Sequence, residues 1–127
     1  MEIIRRDEAP VLVNPGVASE QLISPKNSAS ARLTVTRVVL APAAVNPRHR
    51  HATAEQVWVA LAGSGVLLLA DAATLPFAAG DVARFAEGDV HGLENTGAGD
   101  FVYLAVTSPP LDFRAAYERG AGPAPSE

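Results

Sequence analysis

The chain has 127 residues, a hydrophobic fraction of 48% and a formal net charge of −4. That length buries one core but not two, and an acidic balance with no basic run longer than Arg5-Arg6 excludes a typical nucleic-acid face or membrane-surface patch. The absence of cysteine rules out disulfides and thiolate metal sites, so any metal must be held by nitrogen and oxygen.

No apolar stretch approaches the roughly 20 residues needed to span a bilayer, and MEIIRRDEAP lacks the apolar core of a signal peptide. The expected compartment is the cytoplasm. Residues 1 to 31 hold Val11 to Val13 and Leu22-Ile23 as expected edge strands, the first able to extend a partner's sheet. RLTVTRVVLA, residues 32 to 41, is rich in β-branched side chains and predicts a strand. APAAVNPR then breaks the pattern with two prolines. Residues 56 to 62, QVWVALA, and 66 to 70, VLLLA, flank Gly63-Ser64-Gly65, which reads as a hairpin turn.

Asp71 to Thr74 reads as another turn, and DVARFA, residues 81 to 86, as the next strand. EGDVHGLEN carries His91 through a loop into a further strand. Asn95 to Asp100 is a turn, and FVYLAVT, residues 101 to 107, the last strand. A single short helix is expected around Asp112 to Arg119, and the tail GAGPAPSE has the composition of disorder. Many short strands separated by glycine turns predict a sandwich or barrel.

Two of the three histidines, His49 and His51, stand two apart in PRHRH. Residues i and i+2 of an extended chain face the same way, roughly 6.5 Å apart, so both rings can meet one ion at about 2.1 Å while Arg48 and Arg50 point away. A third ligand must come from elsewhere, and His91 is the only other histidine.

The spacing around these residues resembles the cupin family. That family carries a first motif of HxH, three or four residues, Glu, six residues, Gly. Its second motif is G, five residues, PxG, two residues, H, three residues, N. Here Gly80, Gly88, His91 and Asn95 match the second motif, with Ala86 in place of proline, and His49, His51 and Gly63 match the first. The resemblance covers about residues 33 to 107 of one cupin domain, with residues 108 to 127 a partly disordered C-terminal segment. It implies an all-β jelly-roll barrel of two packed antiparallel sheets, with at most one short helix, and one divalent ion held by the histidines. Zinc, nickel, manganese, iron and copper are not distinguished by imidazole ligands.

The fourth ligand departs from the pattern. With six residues between it and Gly63 stands Gln56, and the glutamate is Glu55, one position earlier. One step along a strand reverses the face, so only one of them can reach the ion. Alternation alone favours Glu55 inside; spacing to Gly63 favours Gln56, with Trp58 and Ala60 inside and Val57, Val59 and Leu61 outside. The expected ligand set is therefore His49, His51, Gln56 and His91. Candidate pocket residues are Trp58, Tyr103 and Arg37, the last of which could instead pair with an acidic side chain.

With such a site, the leading expectation is a metalloenzyme using the ion as a Lewis acid on an anionic, oxygenated small molecule such as a sugar acid or keto acid. Its chemistry would be isomerase- or lyase-type proton transfer, with Glu55, Glu94 and Tyr103 as candidate bases. The alternatives are an iron(II) dioxygenase and a non-catalytic small-molecule binder. The resemblance and the outward aliphatic stripe also imply a homodimer.

Overall fold

β-Branched and aromatic residues alternating with smaller or polar ones give each strand one face to bury. The computed structural model describes residues 1–112. Within them run β1 (Val11–Asn14), β2 (Val17–Ile23), β3 (Thr34–Leu40), β4 (Val45–His49), β5 (Glu55–Ala62), β6 (Ser64–Leu68), β7 (Thr74–Ala78), β8 (Val82–Phe85), β9 (His91–Glu94) and β10 (Phe101–Ser108). All pairings are antiparallel: a six-stranded sheet ordered β1-β2-β3-β10-β5-β8 and a four-stranded sheet ordered β4-β9-β6-β7. This is the expected two-sheet jelly roll. The expected C-terminal helix and disordered tail lie outside the described residues.

The core fills the space between the sheets. Trp58, Phe85, Phe101 and Tyr103 from the six-stranded sheet meet Leu67, Phe77 and Leu93 from the other, all buried. Each such side chain contributes roughly 1.5–3 kcal/mol on leaving water. Along β5, Gln56, Trp58 and Ala60 point in, whereas Val57 and Val59 are half-buried and Leu61 is exposed on the outer face.

Four features differ from the sequence expectation. Gly63 does not close a hairpin: β5 pairs with β10 and β8, whereas β6 pairs with β7 and β9, so the chain changes sheets there. Gly63 is required at this corner because its φ is +94° and a Cβ would come within 2.7 Å of the Asp100 carbonyl oxygen and 2.9 Å of the Phe101 Cα. A strand, β4, forms across Val45–His49 despite Pro47. Another unexpected strand, β7, contains Pro76 and lies at the edge of its sheet, where a missing N–H is tolerated. Finally, Leu22-Ile23 lie in β2, an interior strand between β1 and β3, whereas Val11 to Val13 form β1 at the sheet edge as expected.

Proline is accommodated in β4 by a bulge. Asn46 opposes Leu93 and His49 opposes His91, so Pro47 and Arg48 face the single residue Gly92. Gly92 makes room: a Cβ there would meet the Asn46 carbonyl oxygen at 2.7 Å, the Arg48 nitrogen at 2.9 Å and the Pro47 carbonyl carbon at 2.9 Å. The extra residue also shifts the alternation. Asn46 and His49, three apart, are both buried, while Pro47 and Arg48 are exposed.

Candidate metal centre

β4 and the residue pair after it place His49 and His51 inward, with Arg48 and Arg50 exposed. β9 begins with His91, delivered by a tight turn in which the Ala86 N–H donates to the Asp89 carboxylate at 2.9 Å. The Gly88 N–H donates to the carbonyl of His51 at 2.9 Å, tying this turn to the first histidine pair. Ala86 therefore serves where proline is usual. Among the described residues, one ligating atom from each of His49, His51 and His91 lies within 4.8 Å of the others. Ring centroids are 4.3 to 5.3 Å apart and all three side chains are buried.

The tautomers of two rings follow from their partners. His49 Nδ1 lies 2.7 Å from the Pro47 carbonyl oxygen, and His91 Nδ1 lies 2.8 Å from that of Asp89. A carbonyl only accepts, so both Nδ1 atoms carry hydrogen and both Nε2 atoms keep a lone pair. The same local device, a bond to the carbonyl two residues back, orients both rings as ligands. Protonation is strongly disfavoured. Burial pushes His49 down to about 4 against the Pro47 carbonyl, and pushes His91 down to about 3 with help from neighbouring His49.

Gln56 enters from the opposite sheet. Its Oε1 accepts the Trp58 indole N–H at 2.9 Å, and its Nε2 donates to Thr107 Oγ1 at 2.7 Å. Reversing the amide would set donor against donor at Trp58, so the oxygen is fixed in place. That oxygen lies 3.0 Å from His91 Nε2. Two acceptors therefore face each other in a buried site. A divalent cation held by both atoms would resolve the contact. The residues fit a divalent ion.

Other sequence candidates fall elsewhere. Glu55 faces solvent and pairs with Arg84 at 2.5 Å, which removes it from the site. Arg37 is not a pocket residue: it sits on the outer face of β3 and pairs with Glu20 at 2.5 Å, as an outward charge in an apolar strand requires. Glu94 occupies the face of β9 opposite His91 and Leu93. Trp58 and Tyr103 are inside, ring centroids 4.7 Å apart, with Trp58 5.2 Å from His91. Asn95 is structural, its amide donating to the carbonyls of Leu40 and Gly99. Thr107, which holds Gln56, was not singled out, although period-2 alternation with Phe101, Tyr103 and Ala105 places it on the inner face.

The profile of the cupin domain family matches residues 36–107. No curated protein matches the chain significantly. Among solved structures it is similar to a predicted oxalate decarboxylase from Thermotoga maritima at 26% identity and a TM-score of 0.73, covering 87% of this chain and 100% of that one. A Cupin 2 conserved barrel domain protein from Salinispora arenicola shares 27% identity, with a TM-score of 0.68 and coverage of 95% and 96%. KdgF from a Halomonas species shares the fold at 20% identity, with a TM-score of 0.75 and coverage of 87% and 97%.

Proposed function

This chain belongs to the cupin domain family, and from that premise we propose that it is a metal-dependent enzyme acting on small anionic, oxygenated molecules of the sugar-acid or keto-acid type. His49, His51, His91 and Gln56 would hold one divalent ion. The observation that carries this reading is the buried contact of 3.0 Å between His91 Nε2 and Gln56 Oε1, two acceptors in the tautomer that the Asp89 carbonyl favours, which a shared cation would reconcile.

When bound, the ion supplies Lewis acidity to a substrate carbonyl or carboxylate. The chain's own contribution is to keep the donor set neutral. Three imidazoles and an amide leave the ion's charge uncompensated, which favours anionic ligands over neutral ones. Trp58 and Thr107 hold the amide, and the aromatic walls of Trp58 and Phe85 exclude water from the His91 side. Of the candidate bases, Tyr103 alone lies inside the barrel. The 26% identical relative described as a predicted oxalate decarboxylase supports a small acid as substrate.

The test is elemental analysis of untagged protein, followed by turnover assays on keto and uronic acids with and without added zinc, manganese, nickel or iron(II). Bound ion in the wild type, little in His91→Ala, and ion-dependent turnover of one acid are expected. Oxygen uptake supported by iron alone would reassign the site to dioxygen chemistry, and ion binding without turnover would leave a binding protein.

A homodimer is part of the same proposal. Leu61 and Val82 are 46% and 63% exposed on the outer face of the six-stranded sheet, beside half-buried Val57 and Val59. Burial of this face by a second copy would cover it. Light scattering at micromolar concentration should report twice the chain mass; a monomer sinks the dimer.

A further inference from the structure

We propose that Asn46 recognises a hydroxyl group of the ligand bound at the histidine cluster, so that the preferred substrates are hydroxy acids. The inference rests on the metal-site reading above.

Asn46 is 2% exposed, and the bulge in β4 turns it to the same inner face as His49. Its Nδ2 donates to the Tyr103 hydroxyl at 3.0 Å. Its Oδ1 accepts a hydrogen bond from no described residue. Reversing the amide would only exchange an unpaired carbonyl for an unpaired NH2, so one polar end is left over in either orientation. A buried amide with one end unmatched costs stability that an apolar residue of the same size would not.

The amide's other end ties Asn46 to the histidine site. Tyr103, its one hydrogen-bonded partner, packs against Trp58, and Trp58 donates to Gln56 Oε1 beside His91. Asn46 therefore belongs to the same interior wall as the fourth-ligand position. A second unpaired buried oxygen, Thr34 Oγ1, stands on β3 opposite Thr107, the residue that holds Gln56. Thr34 Oγ1 and Asn46 Oδ1 thus both border this one interior.

The chemistry narrows the ligand class. A hydroxyl both donates and accepts, so it satisfies Asn46 whichever way the amide is turned. A carboxylate cannot donate and an ammonium cannot accept. An acid anchored at the ion through its carboxylate, with a hydroxyl further along its carbon chain, offers both groups to the two sites at once.

The experiment uses glycolate, glycerate and erythronate, acids lengthened by one hydroxylated carbon at each step, titrated calorimetrically into zinc-loaded full-length protein. In the wild type the affinity should rise about fivefold at one of the two steps, the effect of one added hydrogen bond. Asn46→Leu should bind glycolate as the wild type does and lose that step, whatever the loss of its bond to Tyr103 costs in melting temperature. If the leucine variant does not fold, Asn46→Ala replaces it in the titration.

A flat wild-type series, or a step that survives in the variant, overturns the assignment. Zinc content, measured first, separates the two levels. Protein that binds no zinc defeats both readings, whereas zinc-loaded protein with a flat series defeats Asn46 alone.

Discussion

The ring of Phe85 lies parallel to that of His91, with centroids 4.2 Å apart and planes within 8°. Phe85 also meets Trp58 edge-on at 5.0 Å, so one aromatic side chain braces both a candidate ligand and the indole that orients Gln56. Phe85→Ala should cost about 3–5 kcal/mol of stability, as a buried phenylalanine does on truncation. Phe85→Leu, which keeps most of the volume, should fold and lose roughly tenfold in zinc affinity because the imidazole is no longer held in its plane. Chelator competition and thermal melts together check both; unchanged zinc affinity in the leucine variant would mean the stack is packing only.

Gln56 sets the charge of the site, so its exchange should separate ion binding from anion binding. In Gln56→Glu the Trp58 N–H still has an oxygen to meet and the Thr107 hydroxyl can turn to donate. Zinc affinity should rise and affinity for added acids should fall, since the carboxylate offsets the ion's charge. Gln56→Leu should lower zinc affinity by about tenfold or more. Fluorescence of Trp58, the only tryptophan, reads ion binding directly because its ring lies 5.2 Å from His91.

Gly92 should tolerate no side chain. The atoms that a Cβ would strike, 2.7 to 2.9 Å away, are backbone of Asn46, Pro47 and Arg48 and cannot swing aside. Gly92→Ala should destabilise the fold by about 1–3 kcal/mol and spoil the pairing of His49 with His91, so that zinc content falls with melting temperature. Gly99→Ala, which meets nothing within 4 Å, is the control and should stay within about 0.5 kcal/mol.

Acid should weaken the ion-free protein in a window above the carboxylate range. His49 and His91 titrate near 6.5 when unfolded and at about 4 and about 3 when folded. Between these values the unfolded chain holds protons that the folded chain refuses, so stability is full above pH 6.5 and falls as pH drops toward 4. The slope should reach about 1.4 kcal/mol per pH unit for each ring. Glu20, held low by its hydrogen bond from Arg6, acts in the same direction only below its ordinary value of 4.5. Urea melts in chelator from pH 7.5 to 4.5 check the slope; a flat profile would mean that the rings are not buried as neutral bases.

Much of this was legible in the sequence because two motifs fix spacing that local physics alone does not. The count back from Gly63 put Gln56 inside and Glu55 out, against the alternation of β5, and the structure places both so. Pairing partners were not legible. Nothing local distinguishes a hairpin glycine from one at a corner between sheets, since the difference lies in β8, β9 and β10, far along the chain. Asn46 escaped notice for a related reason. Simple alternation puts residues three apart on opposite faces, and the bulge that overrides it depends on Gly92, 46 positions later.

Because the chain turns a corner at Gly63 instead of doubling back, β5 has no neighbour until β8 and β10 arrive, and β4 waits for β9. During synthesis, then, His49 and His51 emerge onto an open ribbon while their companion is still unmade. Pairings between such distant segments close late. The three imidazoles consequently meet only in the finished barrel, after most of the polypeptide has left the ribosome, and an ion shared by them would be captured no earlier.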